Sequence, residues 1–131
     1  MKEVLDFLSK AKVFFLATVD GDQPRVRPMG LAMDFEGKLC FGTNNKKEMY
    51  KQLKANPKME IAATLPNGKT LRIAGPVSFN AKREAKVKAL EIMPYLKNMY
   101  SPDDGIFEIF QFDSATAVFT EMNGEKEEMK L

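Results

Sequence analysis

Apolar residues recur along this chain first at helical spacing, then in alternation, and the two rhythms keep trading places. Val4, Leu5, Leu8 and Ala11, with Phe7 beside them, share one face of a 3.6-residue repeat and predict an amphipathic helix over residues 2–12. VFFLATV (Val13–Val19) follows as a strand, and the Asp-Gly of DGDQP (Asp20–Pro24) signals a tight hairpin into a second strand, from Arg25 to about Met33. DFEG turns that strand into a third, Lys38–Thr43. NNKKEMYKQLKANP (Asn44–Pro57) reverts to helical spacing through Met49, Tyr50 and Leu53, with Asn45 as N-cap, Glu48 completing a capping box and Asn56-Pro57 as the stop.

The second half repeats the scheme. MEIAATL (Met59–Leu65) and TLRIAGPVSF (Thr70–Phe79) form a hairpin around PNGK, and Asn80 caps a helix over Ala81–Ile92 with an extension toward Tyr100. SPDDG is a loop, Ile106–Phe112 and Ala115–Met122 form a last hairpin, and NGEKEEMKL reads as a solvated acidic tail. About seven strands and three helices, mostly hairpin-linked, predict one α+β, mostly β domain over residues 1–131. Its antiparallel sheet of six or seven strands closes into a barrel to hide its edges, and the helices are peripheral.

Composition narrows the chemistry. The formal charge is only +2, which gives no warrant for a nucleic-acid binder driven by phosphate neutralisation; an anion here needs a local site. The chain holds no histidine, which removes Ser/His/Asp triads and the common zinc sites. Its single cysteine, Cys40, sits in an apolar run and reads as a buried small hydrophobe in a reducing compartment. No apolar run approaches a membrane span, and the charged opening MKEVLDFLSKAK does not suit a secretion signal, so a cytoplasmic location is expected. The nine methionines, mostly in apolar patterns, read as core filling.

Two cationic features stand out. Arg25 and Arg27 lie two residues apart on one strand face. GTNNKKE runs from a strand straight into a helix, where unpaired N–H groups and a partial positive charge suit an anion; Thr43 and Asn44 add a hydroxyl and an amide, Lys46 and Lys47 add charge. Lysines in a first helical turn oppose the macrodipole, and a bound phosphate would explain them. Pairing of the second and third strands around Glu36 would bring Thr43 opposite Arg27–Met29, so that both features converge. Either feature alone also fits a plain solvated face.

ATVDGDQPRVRPMG, then FGTNNKKEMYKQLKANPKMEIA, then LRIAGPVSF make residues 3–120 resemble the pyridoxamine 5'-phosphate oxidase-like, FMN-binding split-barrel family, in particular its short general-stress-protein and nitroimidazole-reductase-like members. The resemblance implies a homodimer with two FMN molecules at the subunit interface. By position it assigns Arg27, with Arg25 beside it, Thr43, Asn44 and Lys47, with Lys46, to the FMN phosphate. It assigns the backbone of Met29 and Gly30 to the flavin ring, and Thr70, Leu71 and Arg72 to the partner's share of the ring site. Where longer members carry a further basic residue this chain has Glu48 and Met49, and it lacks their histidine-containing C-terminal region, so true pyridoxamine-phosphate oxidase activity is not expected.

A bound flavin carries the redox chemistry itself, so a missing triad does not argue against an enzyme. The leading expectation is an oxidoreductase taking electrons from NAD(P)H to a small acceptor. A non-catalytic flavin-storage module, a small nucleic-acid-binding barrel and a deazaflavin or haem protein are the alternatives. In MPYLKNMYSP, residues Tyr95, Met99 and Tyr100 are candidates to line an acceptor pocket, with plain packing at a dimer interface as the other reading.

Overall fold

Two residues, Gly21 (φ 64°) and Asp22, close a hairpin between β1 (Phe14–Asp20) and β2 (Gln23–Met29). The register pairs Phe14 with Met29 and Asp20 with Gln23, so Phe14, Leu16 and Thr18 share the inner face with Met29, Arg27 and Arg25. A computed structural model describes residues 1–131, with helix α1 (Lys2–Ala11) before this hairpin. After it come β3 (Met33–Phe35), β4 (Lys38–Asn44), α2 (Glu48–Ala55), β5 (Lys58–Thr64), β6 (Thr70–Asn80) and α3 (Arg83–Ile92). A 3-10 turn over Pro94–Asn98 leads to β7 (Phe107–Phe112), β8 (Thr116–Thr120) and β9 (Lys126–Lys130).

Every pairing is antiparallel, in the order β2-β1-β5-β6-β7-β4-β3, with β8 on β6 and β9 on β8. The long β6 belongs to both halves of the barrel: Thr70–Ala74 hold β8 and Val77–Asn80 hold β7. The handover falls at Gly75, where a Cβ would strike the backbone oxygen of Ser114, so only glycine lets the chain pass that close.

Strands β2 and β3 are consecutive in sequence yet lie at opposite ends of the sheet order, and Gly30–Ala32 bridge the gap. This corrects the expected second strand, which stops at Met29 instead of continuing to Met33, and its expected pairing with the third. Pro24 and Pro28 lack N–H groups, which suits β2 to an edge, and its one partner is β1.

The charged tail also departs from expectation. An Asn-Gly turn (Gly124 at φ 91°) returns it as β9, with Met129 and Leu131 against the core. Backbone pairing holds this strand although its exposed side chains are charged. With β3 separate and β9 added, nine strands replace the expected seven. The predicted caps differ as well. Lys47 and Lys82 are the N-caps of α2 and α3, neither with a side-chain cap bond, and Pro94 converts the expected extension of α3 into the 3-10 turn.

The main core stacks Phe14, Phe41, Phe110 and Phe112 inside the barrel, and α1 joins it through Phe7, edge-on to Phe119. A second cluster under α3 contains Leu31, Phe107 and Cys40. Cys40 is fully buried; burial and nearby Asp34 push its thiol up to about 11, so it is a packing residue with no thiolate character at neutral pH.

Candidate functional site

The Gly30–Ala32 bridge opens the barrel wall, and a cavity of about 250 Å³ lies beside it. Met29, Gly30 and Leu31 form one wall, Gly42 and Thr43 at the end of β4 another, Lys47 stands at the entrance of α2, and Tyr95, Met99 and Tyr100 face them above Phe107. Seven residues singled out in the sequence therefore meet in one place: Met29, Gly30, Thr43, Lys47, Tyr95, Met99 and Tyr100. Gly42 keeps the wall thin, since a Cβ there would lie 2.9 Å from Leu31 Cδ2 and 3.2 Å from the Phe107 ring.

The polar groups at the α2 end of this cavity are incompletely paired, with the Thr43 side chain on the Phe41 face of β4. Thr43 is buried and its Oγ1 has no hydrogen-bond partner. A buried hydroxyl left unpaired costs roughly 1–3 kcal/mol. Lys46 and Lys47 take part in no ion pair. The entrance is nevertheless well held. Asn44 accepts from the Lys46 N–H (3.0 Å) and donates to Tyr100 Oη (2.6 Å), and Tyr100 stacks on Phe107. Asn45, expected as the cap, instead donates to the Gly105 carbonyl (2.7 Å) and to Glu108, leaving its buried Oδ1 unpaired.

The arginines take a different course from the convergence expected of them. Arg27 donates through Nη1 to the Leu16 carbonyl and Thr18 Oγ1, and through Nη2 to Gln52 Oε1 on α2. Thr18 and Gln52 are themselves buried and bonded at 2.6 Å. Burial lowers the Arg27 pKa, but its Nε–H and one Nη2 hydrogen have no protein acceptor. Arg25 is exposed and reaches back to Asp20 at 3.2 Å. Thr18 and Gln52 were not foreseen; a glutamine between Met49 and Leu53 on an apolar helix face was the available signal.

Thr70, Leu71 and Arg72 lie on β6, outside this cavity. The Leu71 side chain turns into the core, leaving only its backbone for a neighbour; Thr70 and Arg72 point outward, and Arg72 pairs with Glu60 at 2.5 Å.

This donor set fits the phosphate end of FMN. Thr43 supplies an unclaimed hydroxyl, α2 starts with no side-chain cap on its first N–H groups, and Lys47 supplies an unpaired cation. Met29, Met99, Tyr100 and Phe107 offer the apolar wall that a flat ring needs. The volume is a little below the roughly 300–1,000 Å³ usual for a small-molecule site.

A sequence profile of the family described as "Pyridoxamine 5'-phosphate oxidase" matches residues 1–120. No protein of curated function matches the chain. Among solved structures, a NimC/NimA family protein from Clostridium acetobutylicum is 46% identical over 100% of this chain and 92% of its own, with a TM-score of 0.95. Two others share the fold at low identity. A pyridoxamine 5'-phosphate oxidase-related, FMN binding protein from Nostoc punctiforme is 14% identical over 99% of this chain and 95% of its own (TM-score 0.63). A heme binding protein from Mycobacterium smegmatis is 16% identical over 94% of this chain and 54% of its own (TM-score 0.77). No helix of this chain is long and apolar enough to cross a membrane. With its profile match, its barrel and its α2 entrance in agreement, this chain belongs to the pyridoxamine 5'-phosphate oxidase family.

Proposed function

We propose that this protein binds FMN at the α2 entrance and, as a homodimer with two such sites at its interface, passes electrons from NAD(P)H to a small acceptor. The observation that carries the reading is the unpaired Thr43 hydroxyl, buried beside an uncapped helix start and a lysine without a counter-ion. In this reading Thr43 and Lys47 hold the phosphate, with Lys46 adding charge and Asn44 holding the turn in shape. Arg27, tied to α2 through Gln52, keeps two N–H donors available for the same anion, and Arg25 adds its charge. Met29 and Gly30 border the ring with backbone groups, and Tyr95, Met99 and Tyr100 screen it from water. The flavin, when bound, supplies the hydride and electron chemistry, so the protein needs no acid or base of its own. The FMN-binding relative supports this choice of cofactor. The heme-binding relative raises iron as an alternative, but this chain has no imidazole and its unpaired groups are anion ligands.

The outward sheet face supports the dimer. Phe15 (51% exposed) and Val26 (68%) lie on it with Ala62 and Ala74, and Thr70 and Arg72 share that face. Exposed apolar side chains gathered on one sheet face, here around the Glu60–Arg72 pair, are the usual mark of an interaction site. A second copy there would bring its own Thr70–Arg72 to the site of the first. Native mass spectrometry of the purified protein tests both halves of the reading: a dimer carrying two FMN molecules is the expected species. A monomer that takes up no flavin contradicts it. Stopped-flow mixing of the loaded protein with NADH or NADPH separates an oxidoreductase, in which the flavin bleaches, from a storage module, in which it does not.

A further inference from the structure

A second and larger groove lies on the other side of the Gly30–Ala32 bridge. It runs between α1, the bridge with β3, and α3, and encloses about 600 Å³, within the usual small-molecule range of roughly 300–1,000 Å³. Its floor is apolar: Leu5 and Leu8 from α1, Leu31 and Met33 from the bridge and β3, and Ile92 and Met93 from α3. Ile92 is 47% exposed at its edge.

The charges around this groove are unequally committed. Asp6 is paired with Lys2 at 2.9 Å, Asp34 Oδ1 accepts the Gly37 N–H, and Lys88 donates to the Asp34 carbonyl. Lys12 has no side-chain hydrogen bond and no ion pair. It closes α1 at φ 68° and ψ −46°, the centre of a γ-turn in which the Val13 N–H donates to the Ala11 carbonyl (2.8 Å), a strained conformation for a residue with a side chain. A lysine in that place brings an uncommitted cation to the mouth of an apolar groove.

We propose that this groove binds an amphipathic carboxylate, with its anionic end at Lys12 and its apolar body along Leu8, Leu31 and Ile92 toward Met93. The charges leave one cation over: Asp6 is paired with Lys2, the Lys88 ammonium sits on the backbone of Asp34, and Lys12 has no partner. Met93, Gly30 and Leu31 line this groove and the α2 cavity alike. The Met93 thioether, whose Cε lies 3.5 Å from where a Gly30 Cβ would stand, is the flexible member of this shared wall. The groove therefore adjoins the site described above and is assigned on its own geometry, independently of flavin.

Titration of decanoate into the 15N-labelled full chain, followed by amide chemical shifts, tests this. Saturable shifts confined to residues 5–12, 30–34 and 88–93 are expected. Lys12→Glu should weaken binding at least tenfold, Lys12→Gly should weaken it without backbone strain, and decylamine should not compete. Met93→Trp, which puts a bulkier side chain in the shared wall, should also reduce the affinity. Absent or scattered shifts overturn the proposal, as does equal binding of decanoate by Lys12→Gly and the parent, or equal binding of decylamine. FMN is titrated separately into the same samples. Decanoate binding without FMN uptake sustains the groove and removes the flavin reading; FMN uptake without decanoate binding does the reverse.

Discussion

Helices α2 and α3 begin alike and end up chemically opposite. Each is preceded by an asparagine whose Oδ1 accepts the N–H two residues on (Asn44 from Lys46, Asn80 from Lys82), and each has a lysine N-cap with no side-chain cap bond. At α3 the protein answers its own charges: Lys82 pairs with Glu36 and Arg83 forms a two-pronged pair with Asp103. At α2 neither lysine is answered, and a buried threonine hydroxyl points to no partner. A helix start is therefore not enough to mark a site. The unpaired groups left around it are what distinguish the two.

The largest effects should come from removing the unanswered cations. Lys47→Ala is expected to weaken FMN binding by about 1.5–3 kcal/mol, the usual worth of a hydrogen bond to a charged group, which is roughly ten- to 150-fold in Kd. Arg27→Ala belongs in the same range, and the Thr18–Gln52 bond should survive it. Arg83→Ala, at the satisfied helix, should leave FMN affinity unchanged. Fluorescence titration of FMN against the three variants reads the contrast directly.

Thr43→Val sharpens it by sign. Without ligand, replacing an unpaired buried hydroxyl by a methyl should raise stability by up to about 1 kcal/mol, read from the urea midpoint. The same change should weaken FMN binding several-fold. A lone packing role for Thr43 would move only the first quantity.

The smallest effect concerns the loop shared by both entrances. Asp103 faces α3, while Asp104 turns inward and accepts from the N–H groups of Ser101, Ile106 and Phe107; Asn45 grips Gly105 from the α2 side. Burial opposes ionisation of Asp104, yet those three donors together outweigh it and hold its pKa below the ordinary 3.8. A carboxyl with a lowered folded-state pKa contributes stability that is complete above the unfolded value. That contribution is lost as pH falls through the ordinary range and then the folded one. Thermal unfolding between pH 6 and pH 2 should therefore show a shallower acid decline for Asp104→Asn than for the parent.

The sequence made the hairpins and helices legible because alternation and helical spacing are local, and so are the Asp-Gly and Pro-Asn-Gly turns. The break at Gly30 was hidden because Met29, Leu31, Ala32 and Met33 read as one apolar run whichever sheet edge they serve. β9 was hidden because its side chains are charged and only its backbone joins the sheet. Asn45 looked like a cap, but Gly105, sixty residues away, claims its amide. At the candidate site, Thr43 and Lys47 were singled out by GTNNKKE and Met29 and Gly30 by the family resemblance, while the link from Arg27 to α2 depends on Gln52, a tertiary contact without a local pattern.

Titration of FMN into the purified chain, with bound flavin counted from its visible absorbance, tests the central claim most directly. The account predicts saturation at one flavin per chain, with affinity at least tenfold weaker in Lys47→Ala and unaltered in Arg83→Ala. Absence of uptake, or equal affinity in all three proteins, would contradict it.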